Sequence, residues 1–357
     1  MKKKFLLYSI AALLLCIGIY AYSILNETGF FRTIENQLDG EVVATIDLAG
    51  AEDMTVSLDG EFLIISSDDR AYTRDSSKEK GGIYWMNLKD ETFKLEALSN
   101  ETHPKMAPHG IDLWQIDSSH YRLFVVNHHL KKHTIEVFDL YDNHNDSLNL
   151  VHDTTYSDVS IFSPNDIVAI SADAFYFTND KNYSGKLGKF QAEYLGKKGC
   201  SVIYFDGKKF RQVAENFAYA NGIRYDFERE LLFVAEARGF LINVFKRESN
   251  GDLTLIEKIP TGTGVDNIEF DTNGHLWVGC HPSLLAYSAF SDGKKPFAPS
   301  EIIKIAYNGK GDYSQETIFL DDGQLVSGMS AAPVFKNFVF TGNVMDDHFL
   351  VLKLRQD

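Results

Sequence analysis

The sequence predicts an all-β chain folded as a six-bladed β-propeller behind one apolar N-terminal helix. Three observations predict it. Past residue 40, short runs rich in Val, Ile, Phe, Tyr and Leu alternate with turn residues, among them EFLIISS, YRLFVVN, AFYFTN, LLFVAEA and HLWVGC, which is the pattern of many short strands. One unit then recurs six times: polar residues, a large apolar residue, a tight turn and a strongly apolar strand. Finally, EVVATI near residue 41 and the C-terminal FLVLKL are natural partners for closing a ring.

The first element is read from its flanks. Lys2, Lys3 and Lys4 precede an uncharged stretch from Phe5 to Asn26, 22 residues long. That length suits a membrane span. A cleaved signal has a shorter core and a small-residue cleavage site, for which only Ala21 and Ser23 around Tyr22 offer themselves. Residues 1–26 are therefore expected to be a signal anchor, with lysines on the cytoplasmic side and the bulk of the chain outside, extracellular or periplasmic. The protein is secreted if the segment is cleaved. Residues 27–40 read as a tether, and 41–357 as the propeller.

The six units begin EDMTVSL at Glu52, HGIDLWQ at His109, NDIVAIS at Asn165, NGIRYDF at Asn221, DNIEFDT at Asp266 and SGMSAAP at Ser327. Their apolar markers Met54, Ile111, Ile167, Ile223, Ile268 and Met329 are spaced 57, 56, 56, 45 and 61 residues apart. Repeats of this length fit one four-stranded blade each; a solenoid usually has shorter, more regular ones.

The net charge of −15 argues against nucleic acid as a partner. Of the three cysteines, Cys16 lies in the apolar run, and Cys200 and Cys280 lack metal-site spacing. Cys280 reads as a small buried hydrophobe. There is no nucleophile elbow and no phosphate-binding glycine loop.

In a propeller, the innermost strand of every blade starts at the central channel. The residues just before each marker are thereby gathered: Glu52, Asp53, His109, Asn165, Asp166, Asn221, Asp266 and Asn267. Taken singly, each Asn or Asp is equally well a turn former. Together they supply four carboxylates and three amides at one phase of the repeat. Four carboxylates need a counter-charge, and a mixed Asp, Glu and Asn set suits calcium, where magnesium keeps more water and zinc wants more histidine. His109 is in phase with this set and His128 ends the next strand of the same blade, so two imidazoles can lie above a cation and take a proton from water. His129 and His133 read as solvated loop residues, and His281 as a residue at the same mouth.

These residues resemble the serum paraoxonase/arylesterase family, through APHGI, VVNH, PNDIVAI, FTND, YANGI, VDNI and LWVGCHP, in this order across nearly the whole chain. The resemblance implies a six-bladed propeller with two calcium ions that hydrolyses lactones and aryl esters. It implies a catalytic calcium on Glu52, Asn165, Asn221, Asp266 and Asn267. A structural calcium falls on Asp53, Asp166 and the backbone carbonyl of Ile111. His109 becomes the water-activating base and His128 its partner. The family's disulfide between the N-terminal strand and the C-terminus has no counterpart, since neither end of the propeller offers a cysteine. The pocket-wall segments SSDDRAYTRDSS and GNVMDDH depart from the family pattern, so the substrate does not carry over. Segment 181–198 matches the family's helical lid but is more basic, offering Phe190, Tyr194 and Leu195 among Lys181, Lys186, Lys189, Lys197 and Lys198. It is a candidate membrane contact. The expected function is a calcium-dependent lactonase and arylesterase acting on a small-molecule lactone or ester. The alternatives are a related calcium propeller with a sugar-lactonase or strictosidine-synthase-like role, and a non-catalytic binding propeller.

Overall fold

The computed structural model describes residues 2–355 except 77, 79, 90, 101, 130, 131, 144–146, 184 and 196, with backbone alone for 2, 3, 186, 189 and 193–195. Lys186, Lys189, Tyr194 and Leu195 of the expected membrane contact thus have side chains outside the described residues.

Six antiparallel sheets form the six expected blades. Their innermost strands are Ala51–Val56, Pro108–Gln115, Pro164–Ser171, Ala220–Asp226 and Gly264–Phe270, and in the sixth blade Val334–Phe335. The repeat's apolar markers Met54, Ile111, Ile167, Ile223, Ile268 and Met329 are all buried, packed between neighbouring sheets. Each strand alternates its side chains between two faces, and both faces meet another blade. This is why strands such as Phe62–Asp68 and Leu231–Glu236 are buried along their whole length.

The ring closes as the sequence predicts. Strand Gly40–Asp47 is the outermost strand of the sixth blade and pairs with His348–Leu354, placing Val42 opposite Leu352 and Ile46 opposite Phe349. All three cysteines are free, so strand pairing alone makes the closure.

Helix Lys2–Glu27 is long and apolar enough to cross a membrane, and its window of apolar residues is unburied. The stretch read as a tether is fastened to the propeller. The Thr28 carbonyl accepts from Leu284 N–H at 3.0 Å. Gly29 (φ +70°) lies so close to the Pro282 carbonyl that a Cβ would sit 2.0 Å from its oxygen. Arg32 makes two bonds, of 2.7 and 2.6 Å, to the buried carboxylate of Glu301. Gln37–Leu38 adds a fifth strand to the outside of blade five. Thr28 and Glu301 are both buried where the segment meets blade five.

The lower half of the channel is closed by charge. Arg224 of blade four donates to Asp112 of blade two at 2.7 Å and lies 3.0 Å from Glu269 of blade five. Asp112 also accepts from Ala169 N–H of blade three at 2.8 Å, so one cation ties four blades. Removing one partner of a buried ion pair leaves the others uncompensated. Arg224→Met is therefore expected to cost about 3–5 kcal/mol, read as a lower urea midpoint with unchanged slope; a loss of only a few tenths would show that the triad is not what closes the channel.

Candidate active site and metal centre

Five of the six inner strands share one irregularity. Their pairing with the second strand slips between Ala51 and Asp53, Pro108 and Ile111, Pro164 and Ile167, Ala220 and Ile223, and Val265 and Ile268. A bulge leaves residues unpaired and re-aims their side chains. The residues released are Glu52, His109, Asn165, Asp166, Asn221, Asp266 and Asn267, which thereby turn into the channel instead of alternating between blade faces. Glycine follows two of them for a steric reason. A Cβ at Gly110 would meet the Asp166 Cα at 2.4 Å, and one at Gly222 would meet the Asp266 carbonyl oxygen at 2.4 Å. The inner strands approach too closely there for any other residue.

Every predicted site residue is at this end of the channel; His128 is half-buried and the others are buried. Two layers separate. In the deeper one, Asp53 accepts from the N–H groups of Met54 (2.9 Å) and Ile111 (2.7 Å). Asp166 accepts from those of Ile167 and Ile223, both at 2.7 Å. Each carboxylate therefore clips its own blade to the next. The Ile111 N–H thus engages Asp53 directly. Burial, and then neighbouring carboxylates, push Asp53 and Asp166 well above the usual carboxylate range.

The upper layer lies at the floor of a cavity of about 600 Å³, lined also by His109, His128, Arg70, Asp180, Tyr219, His281 and Tyr287. Glu52 Oε2 and the Oδ1 atoms of Asn165, Asn221 and Asn267 are buried without hydrogen-bond partners. Four such oxygens from four blades are costly to leave unsatisfied. Their chemistry, carboxylate and amide oxygens together, is that of a hard-cation site. Burial pushes Glu52 up to about 7 and raises Asp266, so the same cluster lacks positive charge. The residues present fit a calcium ion.

His109 Nδ1 lies 2.7 Å from Glu52 Oε2 and 2.6 Å from Arg70 Nη2, and its Nε2 lies 3.1 Å from the Asn165 amide nitrogen. Burial, then Arg70, holds this imidazole well below its usual range, hence neutral. The His128 ring packs against it at 4.6 Å between centroids and 62°. His128 Nε2 donates to the Pro164 carbonyl at 2.5 Å, so its hydrogen bond goes to the backbone. His133, expected as a solvated loop residue, instead packs edge-on against His128 at 4.8 Å, with a buried Nδ1. Apolar contact with the histidine shelf outweighs its loop position.

Three further residues belong to the site. His281 Nε2 donates to Asp266 Oδ2 at 2.8 Å, and its ring stacks on Tyr287 at 3.8 Å and 15°. Tyr219, two residues before Asn221, holds φ +66°, a strained conformation of the kind that collects at functional sites. Arg70 lay within a pocket-wall segment that the sequence singles out, but nothing in the sequence places it against His109.

A family model described as Arylesterase matches residues 35–350. Serum paraoxonase/arylesterase 2 of Rattus norvegicus is 29% identical over 300 residues, 83% of each chain. Serum paraoxonase/arylesterase 1 of Mus musculus is 31% identical over 304 residues, again 83% of each. Among solved structures, a putative gluconolactonase superposes with TM-score 0.53 at 11% identity, covering 92% of this chain and 97% of its own. A luciferin-regenerating enzyme superposes with TM-score 0.51 at 11% identity, covering 90% and 98%. These two likenesses are of fold alone. With a family model matched over nearly the whole propeller and the site residues in their expected phase, this chain belongs to the arylesterase family.

Proposed function

We propose that the protein is a calcium-dependent carboxylic ester hydrolase, a lactonase and arylesterase held at a membrane with its pocket outside the cytoplasm. One observation carries the reading: four unpartnered buried oxygens converge beside a neutral imidazole at the floor of a ligand-sized cavity. Glu52, Asn165, Asn221, Asp266 and Asn267 would hold a catalytic calcium, and Asp53, Asp166 and the Ile111 carbonyl a structural one. When bound, the catalytic ion supplies polarisation of the ester carbonyl and charge to offset the developing oxyanion.

The chain's own part is proton transfer. His109, kept neutral by burial and by Arg70, retains a lone pair to accept a proton from water. The water oxygen bonds to the carbonyl carbon as that proton reaches His109. The carbon–oxygen bond to the leaving group then breaks, and the departing alkoxide takes the proton back. His128, fixed by Pro164, holds the His109 ring in place and excludes water from that side.

Chelation tests the metal. Excess chelator is expected to abolish hydrolysis of a δ-lactone and of phenyl acetate. It also lowers the melting temperature, because an ion bound only to the folded state at about a hundredfold its Kd adds about 2.7 kcal/mol. An unchanged melting temperature counts against the site. For the base, His109→Gln is expected to fold, keep its calcium response and lose about 10²–10⁴ in kcat/KM, with a smaller loss for His128→Gln. Wild-type rates in the His109 variant remove the proposed mechanism and leave the fold untouched.

The anchor and lid support membrane access. Phe30 and Phe31 follow the N-terminal helix, and Leu187 and Phe190 lie on helix Gly185–Leu195; all four are exposed. Both segments border the same cavity, through Thr28 and through Tyr183 and Ala192. Apolar groups beside lysines suit an anionic interface. A chain beginning at residue 27 is expected to bind anionic vesicles, more weakly at high salt. Leu187→Ser with Phe190→Ser is expected to reduce that binding and to slow long-chain lactones more than short aryl esters. Equal slowing of both substrates refutes the interfacial role.

A further inference from the structure

We infer that the substrate of this pocket carries a carboxylate close to its ester group and that Arg70 receives it. The inference rests on the hydrolase reading and adds to it a substrate class. Arg70 opens helix Arg70–Ser76, just after strand Phe62–Asp68 of blade one. This short helix carries the guanidinium to the cavity floor, beside Glu52, His109 and Asn165. Its side chain is only 18% exposed, so the charge is largely withdrawn from water.

Such a charge needs a partner, and those around Arg70 are weak. Nη2 meets His109 Nδ1 at 2.6 Å, a ring nitrogen and no carboxylate. Nη1 reaches the Val344 carbonyl at 3.4 Å. Asp68 is 3.5 Å from Nε, well beyond the roughly 2.7–2.9 Å of a charge-assisted bond. A guanidinium presents five N–H groups in a planar fork that matches a carboxylate, and the two hydrogen bonds above leave part of that fork facing the cavity.

The other charges of the cavity favour the same ligand. Glu52 and Asp266 belong to the oxygen cluster. Asp180 accepts from Ser163 Oγ at 2.5 Å and faces Lys181 at 3.4 Å. Asp292 pairs with Lys294 at 2.7 Å. The remaining cations are less well matched: Arg238 is 3.8 Å from Glu27, and Lys197 Nζ is 3.5 Å from the Gln191 amide oxygen. On a chain of net charge −15, a mouth with Arg238 and Lys197 above a half-buried Arg70 draws anions inward. A neutral ester leaves the Arg70 fork with only these long or uncharged contacts. A carboxylate answers it.

The test compares 5-oxotetrahydrofuran-2-carboxylate with γ-valerolactone, the same ring bearing a methyl in place of the carboxylate. The calcium-loaded full chain in detergent is expected to favour the carboxylate in kcat/KM by about 10-fold or more, and less so at high salt. Arg70→Met is expected to reduce that preference by about 10- to 100-fold, and Arg70→Lys, which keeps the charge without the fork, by less. Calorimetric titration with 2-hydroxyglutarate, the ring-opened product, is expected to show binding that weakens in both variants. Equal losses on both lactones in Arg70→Met mean that the residue only positions His109, and they overturn the inference. So does an unchanged preference in Arg70→Lys if Arg70→Met does not fold, and so does an absence of preference in the wild type. Turnover of neither lactone, with 2-hydroxyglutarate binding that depends on Arg70, removes the hydrolase reading and leaves the carboxylate site standing.

Discussion

Buried carboxylates on the axis of a β-propeller are the constraint on which the rest of this structure depends. Glu52, Asp53, Asp166, Asp266, Asp112 and Glu269 all sit within the channel, out of water. Unanswered, such charges repel and protonate. The chain answers them at three depths. Arg224 neutralises the lowest pair. Backbone N–H groups of Met54, Ile111, Ile167 and Ile223 grip the middle pair. The top pair faces amide oxygens that themselves lack partners, which is the arrangement a cation would complete.

These answers also hold the blades together. Among the described residues each strand ladder stays within one blade, so the blades are joined by apolar packing and by the polar contacts that cross between them. Asp53 crosses from blade one to two, Asp112 from two to three, and Asp166 from three to four. Asn267 N–H donates to Ser330 of blade six, whose hydroxyl returns to the Glu52 carbonyl of blade one. The polar ring that builds the site is thus a circumferential belt. Substitutions in it are expected to couple stability to function, and to be non-additive, because its members share partners.

Above the belt the chemistry changes from structural to selective. The cavity wall comes from connections between strands: helix Arg70–Ser76, helix Gly185–Leu195, helix Leu284–Ser291 and residues Thr28, Val344 and Met345. Loops on a rigid scaffold are where function varies most freely. The floor gathers the axial oxygens and His109, whereas the wall brings Arg70 and Arg238 into an otherwise acidic protein. The N-terminal segment belongs to this wall through Thr28, so the residues that follow the apolar helix also line the pocket mouth.

The sequence by itself determined the repeat, the six blades, the ring-closing strand pair and those axial residues that precede the repeat's apolar markers, though not Asp112 and Glu269 below them. Each of these follows from local pattern: alternation and spacing fix the strands, and a shared phase before Met54, Ile111, Ile167, Ile223 and Ile268 brings distant side chains to one axis whatever the details of packing. Only the tertiary structure decided how those residues are used. The bulges that turn Asn165 and Asn221 into the channel are departures from strand periodicity, set by the close approach at Gly110 and Gly222. Arg70 meets His109, and Arg224 meets Asp112, across 39 and 112 residues; no period links them, because these contacts join different phases of different blades. The fastening of Thr28, Gly29 and Arg32 to blade five was hidden for the same reason. A short polar segment reads as a tether until the surface that buries it is present, and that surface is built by residues more than two hundred positions further along the chain.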